Sequence, residues 1–216
     1  MTIYDFFVKL ISNPDIAISQ LITKYNEWVY IFLFLIIFAE TGLIIASFLM
    51  PFLPGDALIF AIGLLSSKGE LNIYIVIPLL IFAALLGDNL NYYIGRRFGS
   101  YLIKKEKILF LKQEYIDRAT IFFQKNGKNS IIMARFVPVI RTIVPFLSGT
   151  TKVKYSVFLL YSFIGAVIWV GLISILGYNL GKIKWVQENL EYVIWGIILI
   201  ANLPLLKQLF LKNKSA

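Results

Sequence analysis

Cysteine and histidine are both absent from the 216 residues of the sequence. Without cysteine the chain has no disulfides, no thiolate nucleophile and no cysteine-ligated zinc. Without histidine it cannot use the mechanism of the membrane phosphatases or serine proteases whose chemistry requires an imidazole. The side chains left to titrate near neutral pH are carboxylates and lysines in unusual surroundings. The sequence therefore favours a protein that is not an enzyme, and it predicts no metal and no cofactor.

Charged residues are scarce as well, at 15%, whereas 59% of residues are hydrophobic and the mean hydropathy is +0.78. A soluble domain carries about a quarter charged residues. The chain is therefore predicted to be an integral membrane protein with one domain over residues 1–216. The net charge of +9 is attributed to loops facing anionic lipid and not to nucleic acid, because the aromatic residues lie in apolar runs away from the basic ones.

Six apolar segments follow one another along the chain, and they are residues 28–49, 52–65, 73–94, 130–147, 157–178 and 192–206. A helix that crosses the hydrocarbon core needs about 20 residues. Segments 73–94 and 157–178 reach that length, while 28–49 is predicted either to cross fully or to form one arm of a re-entrant hairpin. Segment 52–65 is too short to cross, and 130–147 is interrupted by arginines and Pro138. Residues 1–27 carry acids and helically spaced apolar residues, which favours an amphipathic helix over a signal peptide.

Basic residues predict the topology. Residues 96–128 hold nine Lys or Arg against three acids, so the positive-inside rule places this stretch in the cytoplasm. Within it, the spacing of Ile116, Ala119, Phe122 and Phe123 predicts an amphipathic helix that ends at the Asn-Gly pair 126–127. The basic C-terminus is predicted to be cytoplasmic as well. Both ends agree only if segment 130–147 enters the membrane and returns on the same side.

The chain also repeats itself, because the Pro-Phe-Leu-Pro-Gly of residues 51–55 matches the Pro-Phe-Leu-Ser-Gly of residues 145–149. Paired broken segments in inverted halves are typical of transporters whose site lies near the membrane midplane. The fold class predicted is all-α with two inverted repeats, 28–99 and 129–181, each a re-entrant hairpin followed by a transmembrane helix. Residues 100–128 form the basic loop, and 182–216 a last transmembrane helix with a basic tail. The residues expected to shape the hairpins by breaking helices or turning tightly are Pro51, Pro54, Gly55, Pro138, Pro145 and Gly149.

Four charged residues lie in or beside these predicted hairpins, and they are Glu40, Asp56, Arg135 and Arg141. A charge at the bilayer centre costs about 2.5–3.5 kcal/mol on insertion scales, so such residues persist where they pair or line a watery cavity. Arginine binds phosphate oxygens with a bidentate fork, and carboxylates in a low dielectric exchange protons near neutral pH. The pattern therefore indicates an anion site and a proton site. A purely structural ion-pair network, for example Glu40 with Arg141, and arginines that reach back to the surface are the alternatives.

The third apolar segment carries polar residues of its own. Asp88 and Asn91 lie one helical turn apart, which permits either a place in the same cavity or, as the favoured interpretation, helix packing and hydrogen bonding. Gly165 and Trp169, in the fifth segment, are interpreted mainly as packing residues.

Three stretches together, ETGLIIASFLMPFLPGDALIFAIGLL, GDNLNYYIGRRFG and ARFVPVIRTIVPFLSGTTKVKYSVFLLYSFIGAVIW, closely resemble the DedA family of bacterial membrane proteins, whose domain is also called SNARE-associated or VTT. The resemblance covers about residues 34–180. It implies two facing re-entrant hairpins and translocation of undecaprenyl phosphate or phospholipid driven by the proton motive force. The family's acidic pair matches Glu40 and Asp56, and its arginine pair matches Arg135 and Arg141.

Our leading hypothesis is a proton-coupled transporter of an anionic lipid phosphate in the bacterial plasma membrane, with lipid and protons as its partners. The arginines would bind the phosphate while Glu40 and Asp56 carry the coupling protons. An exporter of small ions or drugs that uses the same acids, and a structural scaffold, are the alternatives. A homo-oligomer is compatible with either kind of transporter.

Overall fold

The computed structural model describes residues 28–42, 55–104, 113–137, 140–189, 192–193 and 196. The predicted amphipathic segment 1–27, together with Pro51, Pro54, Pro138 and nearly all of 192–206, lies outside the described residues. Every regular element in the described part is helical. The α-helices are α1 (Trp28–Gly42), α2 (Gly55–Ser67), α3 (Ile73–Lys104), α4 (Gln113–Asn126), α5 (Ser130–Met133), α6 (Ile140–Thr150), α7 (Tyr155–Leu180) and α8 (Lys184–Glu188). This confirms the all-α class, while the inverted repeats remain a prediction.

Two of these helices are long and apolar enough to cross a membrane, and they contain the predicted segments 73–94 and 157–178. They are Ile73–Gly99 within α3 and Tyr155–Leu180, with mean hydropathies of 2.1 and 2.3. Only a third of either apolar window is buried within the protein. Side chains such as Leu160 and Leu172 on α7 are about half exposed, at 55% and 51%. Large exposed aliphatic faces of this kind suit a hydrocarbon environment.

Helix α3 continues into the stretch 100–128 that the sequence assigns to the basic loop, and the bounds of that loop stay a prediction. Residues 100–104 are the last described residues of α3. No proline stands in this stretch to stop the helix, so its hydrogen-bond ladder extends into the basic sequence. Farther on, the predicted amphipathic helix is confirmed as α4, with Ala119 fully buried and Gly127 in the left-handed conformation (φ 54°) just beyond its end.

Segment 130–147 is divided in two, as its proline and arginines suggest. Helix α5 and a short 3₁₀ turn, Ala134–Phe136, end at Val137, whose backbone is extended (φ −116°, ψ 110°). A residue that precedes a proline is kept out of the helical region by the proline ring, and Val137 precedes Pro138. Helix α6 then runs for 11 residues, about 16 Å. Neither piece is long enough to cross a bilayer, and the re-entrant course itself remains a prediction.

Pro145 and Gly149 both lie within α6, Pro145 in its interior and Gly149 in its last turn, and their predicted role in shaping a hairpin stays a prediction. Gly149 permits close packing of α6 on α3, because a Cβ atom there would come within 2.0 Å of the Tyr92 carbonyl oxygen. Gly95 on α3 makes the reciprocal approach to Phe146. Small residues that bring helix backbones together are the common device of membrane helix pairs.

The described residues group into two compact units. One contains α2 and the described residues from Ile173 onward, where Phe60 and Leu64 pack with Val186. The backbones of α2 and α7 meet at Gly177, where a Cβ atom would lie 2.2 Å from the Phe60 carbonyl oxygen. The other unit contains α1 and the described residues 73–172, built around α3 with α1 and α6 packed against it. Most of the charged residues singled out in the sequence belong to this second unit.

Candidate functional site

Arg135 is held in a buried ion pair with Asp88. It lies in the 3₁₀ turn after α5, and its Nη2 donates to Oδ2 of Asp88 on α3 and to the Ser162 hydroxyl on α7, at 3.2 Å from the latter. The Ser162 hydroxyl in turn donates to the same Oδ2 of Asp88. All three residues are at most 5% exposed. Burial of both charges is tolerable because each one compensates the other.

Arg141 forms a second ion pair, with Glu40. Its Nη2 donates to Oε1 of Glu40, which joins the first turn of α6 to the last turn of α1. The Arg141 side chain is 17% exposed and the Glu40 side chain 5%. The ion pair between Glu40 and Arg141, which the sequence analysis gave as an example, is therefore present. The partner of Arg135, Asp88, is the one that the sequence did not identify.

A single tryptophan lies against both arginines. The Cζ atom of Arg135 is 5.9 Å from the centroid of the Trp169 ring and that of Arg141 is 5.3 Å away. The two Cζ atoms therefore lie no farther apart than the sum of their distances to the ring centroid. Trp169 is 2% exposed, so both contacts are largely desolvated, where cation–π attraction is strongest. The arrangement holds two positive groups together in the protein interior, each with its own carboxylate.

One face of α7 is shaped to receive Arg135. Ser162, Gly165 and Trp169 lie along that face at helical spacing. Ser162 hydrogen-bonds the guanidinium, and Trp169 covers it. Gly165 leaves room, since a Cβ atom there would be 3.0 Å from Cδ and 3.1 Å from Nε of Arg135. The interpretation of Gly165 and Trp169 as mainly packing residues thus leaves out their contacts with Arg135. The sequence offered one signal for this face, a serine, glycine and tryptophan on one stripe of an otherwise aliphatic helix.

Asn91 ties the helices together beside the ion pairs. Its Nδ2 donates to the Thr41 carbonyl oxygen at 2.7 Å, next to Glu40. It is fully buried, and within the described residues its Oδ1 accepts no hydrogen bond. The hydrogen-bonding interpretation of Asp88 and Asn91 agrees with these contacts. Their predicted place in a transport cavity stays a prediction.

Asp56 belongs to the other compact unit. It lies in the first turn of α2, directly after Gly55, where a carboxylate is favoured by the helix dipole. Gly55 is the first described residue of that helix, and its predicted role in shaping the hairpin stays a prediction. Glu40, Arg135 and Arg141 share the second unit with Asp88. Over the residues that the structure describes, no group of three acidic side chains is placed to hold a metal ion.

This fold and site define a class: an α-helical membrane protein that keeps two arginines buried against carboxylates. The VTT domain family matches residues 53–179. The chain is 41% identical to Protein DedA of Escherichia coli strain K12 over 206 residues, which are 94% of this chain and 92% of the relative. It is 42% identical over 171 residues to an uncharacterized membrane protein of Mycobacterium leprae, covering 79% of this chain and 75% of the relative.

A third relative is the inner membrane protein YqjA of Escherichia coli strain K12, with 34% identity over 153 residues, 71% of this chain and 68% of that protein. No solved structure matches the chain significantly. With the domain match and the identity to DedA over nearly its whole length, the chain belongs to the DedA family of membrane proteins.

Proposed function

We propose that the protein is a transporter that moves an anionic lipid phosphate across the bacterial plasma membrane, driven by the proton motive force. The substrate we favour is undecaprenyl phosphate, with phospholipid as the wider class. The observation that carries the proposal is the pair of buried arginines on one tryptophan, each compensated by a carboxylate, in a membrane protein of the DedA family.

The chemistry of the site suits reversible anion binding. A guanidinium offers planar N–H donors that match phosphate oxygens in pairs, and its charge persists at every physiological pH. Removing a carboxylate from a buried arginine without replacement costs about 3–5 kcal/mol. A phosphate that takes the place of the carboxylate avoids this cost, because it supplies the same charge. The ion pairs therefore fit a resting state in which each carboxylate occupies a position that an anion can take.

Proton uptake completes the proposed cycle. We infer that Glu40 and Asp56 carry the coupling protons and that Glu40 neutralises Arg141 when no substrate is bound. Such a cycle needs binding and release but no covalent step, so we propose no enzymatic activity. We propose a cytoplasmic location for the basic stretch 96–128 and for the C-terminus on the strength of the positive-inside rule.

Reconstitution into liposomes that contain a lipid phosphate tests this proposal. A reagent that reacts only with headgroups in the outer leaflet reports translocation. We expect Arg135→Ala and Arg141→Ala to lower the rate at least tenfold, since each removes a phosphate-binding group. Arg97→Ala is the matched control, because Arg97 is an exposed arginine on α3 and its loss should leave the rate unchanged.

Translocation at the wild-type rate in both buried-arginine variants would refute the assignment of the phosphate site. A flux of small ions that needs Glu40 and Asp56 but tolerates the loss of both arginines would instead favour the exporter alternative. Folding of each variant is checked by its elution as a single species in detergent before reconstitution.

A further inference from the structure

The ion pair of Arg135 differs from an ordinary structural salt bridge in how few donors it uses. Both of its side-chain hydrogen bonds leave from Nη2, one to Asp88 and one to Ser162. Its Nε is buried and makes no hydrogen bond within the described residues. A structural arginine–carboxylate pair is often bidentate and uses two parallel N–H groups. Arg135 therefore has a buried N–H donor, at Nε, that its contacts with Asp88 and Ser162 do not use.

Within the part of the chain that the structure describes, Arg135 is the one cation paired with Asp88. Of the charged groups on the elements around it, Arg135 from the 3₁₀ turn contacts it directly, whereas Arg141 from α6 is paired with Glu40 from α1. Helix α7 contributes Ser162 and the Trp169 ring, and Asn91 on its own helix donates to the Thr41 carbonyl. If Asp88 lost Arg135 while still ionised, it would become an uncompensated charge in a 4% exposed position.

We propose that Asp88 is the carboxylate that exchanges with the transported anion at Arg135, and that it takes up one proton each time it does so. The proposal rests on the proposed function and adds a third acid to its proton-binding set. Before exchange, Arg135 and ionised Asp88 sum to zero. After exchange, Arg135 and a singly charged anion sum to zero and protonated Asp88 is neutral. The proton comes from bulk water and is released when the anion leaves.

Ser162 gives the exchange a local partner. In the resting pair its hydroxyl donates to Oδ2 of Asp88, which stabilises the ionised carboxylate. Once Asp88 carries a proton, the same hydroxyl can accept a hydrogen bond from it, because a hydroxyl is both donor and acceptor. Asp88 thus remains satisfied on α3 while Arg135 turns its donors, including Nε, to the anion.

Anion binding measured as a function of pH tests the inference. The purified full-length protein in lipid nanodiscs is titrated with undecaprenyl phosphate between pH 5.5 and 8.5. This range includes the second ionisation of a phosphate, at about pH 6. One proton taken up per anion makes the affinity change by up to about tenfold per pH unit, rising as the pH falls. The lipid's own ionisation is common to all variants and cancels in their comparison with the wild type.

The expected result is that Asp88→Asn removes this additional pH dependence and that Asp88→Glu restores it. Asp117→Asn, a change of an exposed aspartate on α4, should keep the wild-type slope and serves as the matched control. Ser162→Ala keeps Asp88 but removes the hydroxyl that stabilises its ionised form. We expect the Ser162→Ala variant to retain the dependence of affinity on pH, with the pH range of that dependence moved to higher pH. This variant tests the inference even if Asp88→Asn fails to fold.

Each outcome decides between the two levels of the proposal. If the wild type binds the lipid, Arg135→Ala weakens binding, and Asp88→Asn keeps the wild-type slope, the exchange at Asp88 is wrong and the proposed function stands. A uniform loss of affinity at every pH in Asp88→Asn, with an unshifted slope in Ser162→Ala, assigns Asp88 a positioning role only and also overturns the exchange. If the wild type does not bind the lipid, both the exchange and the proposed function fail.

Discussion

A single methyl group added at Gly165 should impair transport by moving Arg135. The Cβ of Gly165→Ala would lie 3.0 Å from Cδ and 3.1 Å from Nε of Arg135, and 3.3 Å from the Cα of Ile132. These separations are shorter than ordinary carbon contacts of about 3.5–4.0 Å, so something must shift by several tenths of an ångström. The Ile132 contact is with backbone, which yields less easily than a side chain. The guanidinium group is therefore the part expected to move.

The magnitudes predict a functional defect larger than the loss of stability. Overpacking of a filled site costs about 1–3 kcal/mol, and replacing glycine by alanine inside a helix returns about 1 kcal/mol. The net change in the free energy of unfolding is therefore small, between about 0 and 2 kcal/mol. Misplacement of a binding group by about 1 Å can lower a rate about a hundredfold. For the smaller shift expected here we predict about a tenfold lower rate of lipid translocation.

Gly171→Ala is the matched control for this prediction. Gly171 lies on the same helix, six residues further on, and a Cβ atom there meets nothing within 4 Å. The same chemical change should thus leave transport unchanged and raise thermal stability slightly. Translocation is measured in liposomes and stability by thermal unfolding in detergent. Equal transport rates in the two alanine variants would show that the Arg135 position on the α7 face does not matter for function.

Two further predictions concern the second ion pair and the tryptophan. Glu40→Gln and Arg141→Gln should each destabilise the protein by about 3 kcal/mol, because each removes one partner of a buried ion pair, and the double variant should lose less than the sum. Additive losses in thermal unfolding would contradict the pairing. Trp169→Leu should weaken lipid phosphate binding at least fivefold by removing the ring shared by both arginines, whereas Trp169→Phe, which keeps an aromatic face, should lose less. Equal affinities in these two variants, measured by lipid titration, would show that the aromatic ring does not contribute to lipid phosphate binding.

Local features of the chain were predictable where one physical term dominates. The lengths of the apolar runs predicted the two long helices, because a bilayer fixes how many residues a crossing needs. The apolar spacing and the Asn-Gly pair predicted α4 and its end. The proline and the two arginines predicted that segment 130–147 is not one continuous helix, and the break occurs at Val137. In each case the information lies within a few neighbouring residues.

The sequence was less informative where one residue type can serve two purposes. Proline and glycine both interrupt helices, which is why Pro145 and Gly149 were expected to shape a turn. In the structure Pro145 stays within α6, and Gly149 supplies the flat surface that α6 needs to approach Tyr92 on α3. Whether glycine acts through its backbone freedom or through its missing side chain depends on what packs against it. That information comes from a different part of the chain.

Charge pairing could be predicted in kind but not in detail. A charge within an apolar run requires compensation, so partners for both arginines were expected. Glu40, Asp56 and Asp88 are equally acidic in the sequence, and Asp88 lies 47 positions from Arg135. The choice is made by the packing of α3, α7 and the 3₁₀ turn, which brings Ser162 and Asp88 to the same nitrogen. A residue in the centre of an apolar helix, as Asp88 is, was nevertheless a stronger signal than its assignment to packing allowed.

The charges of the two ion pairs constrain the proposed coupling of an anion to protons. Within the described residues Glu40 pairs with Arg141 and Asp88 with Arg135, so an anion added to these two pairs would give them a net negative charge. In a low dielectric this charge is costly, and a proton on the displaced carboxylate removes it. If the exchange at Asp88 is correct, a singly charged phosphate should therefore enter with one proton, carried by Asp88, and a doubly charged one should need a second proton on another acid of the proposed set.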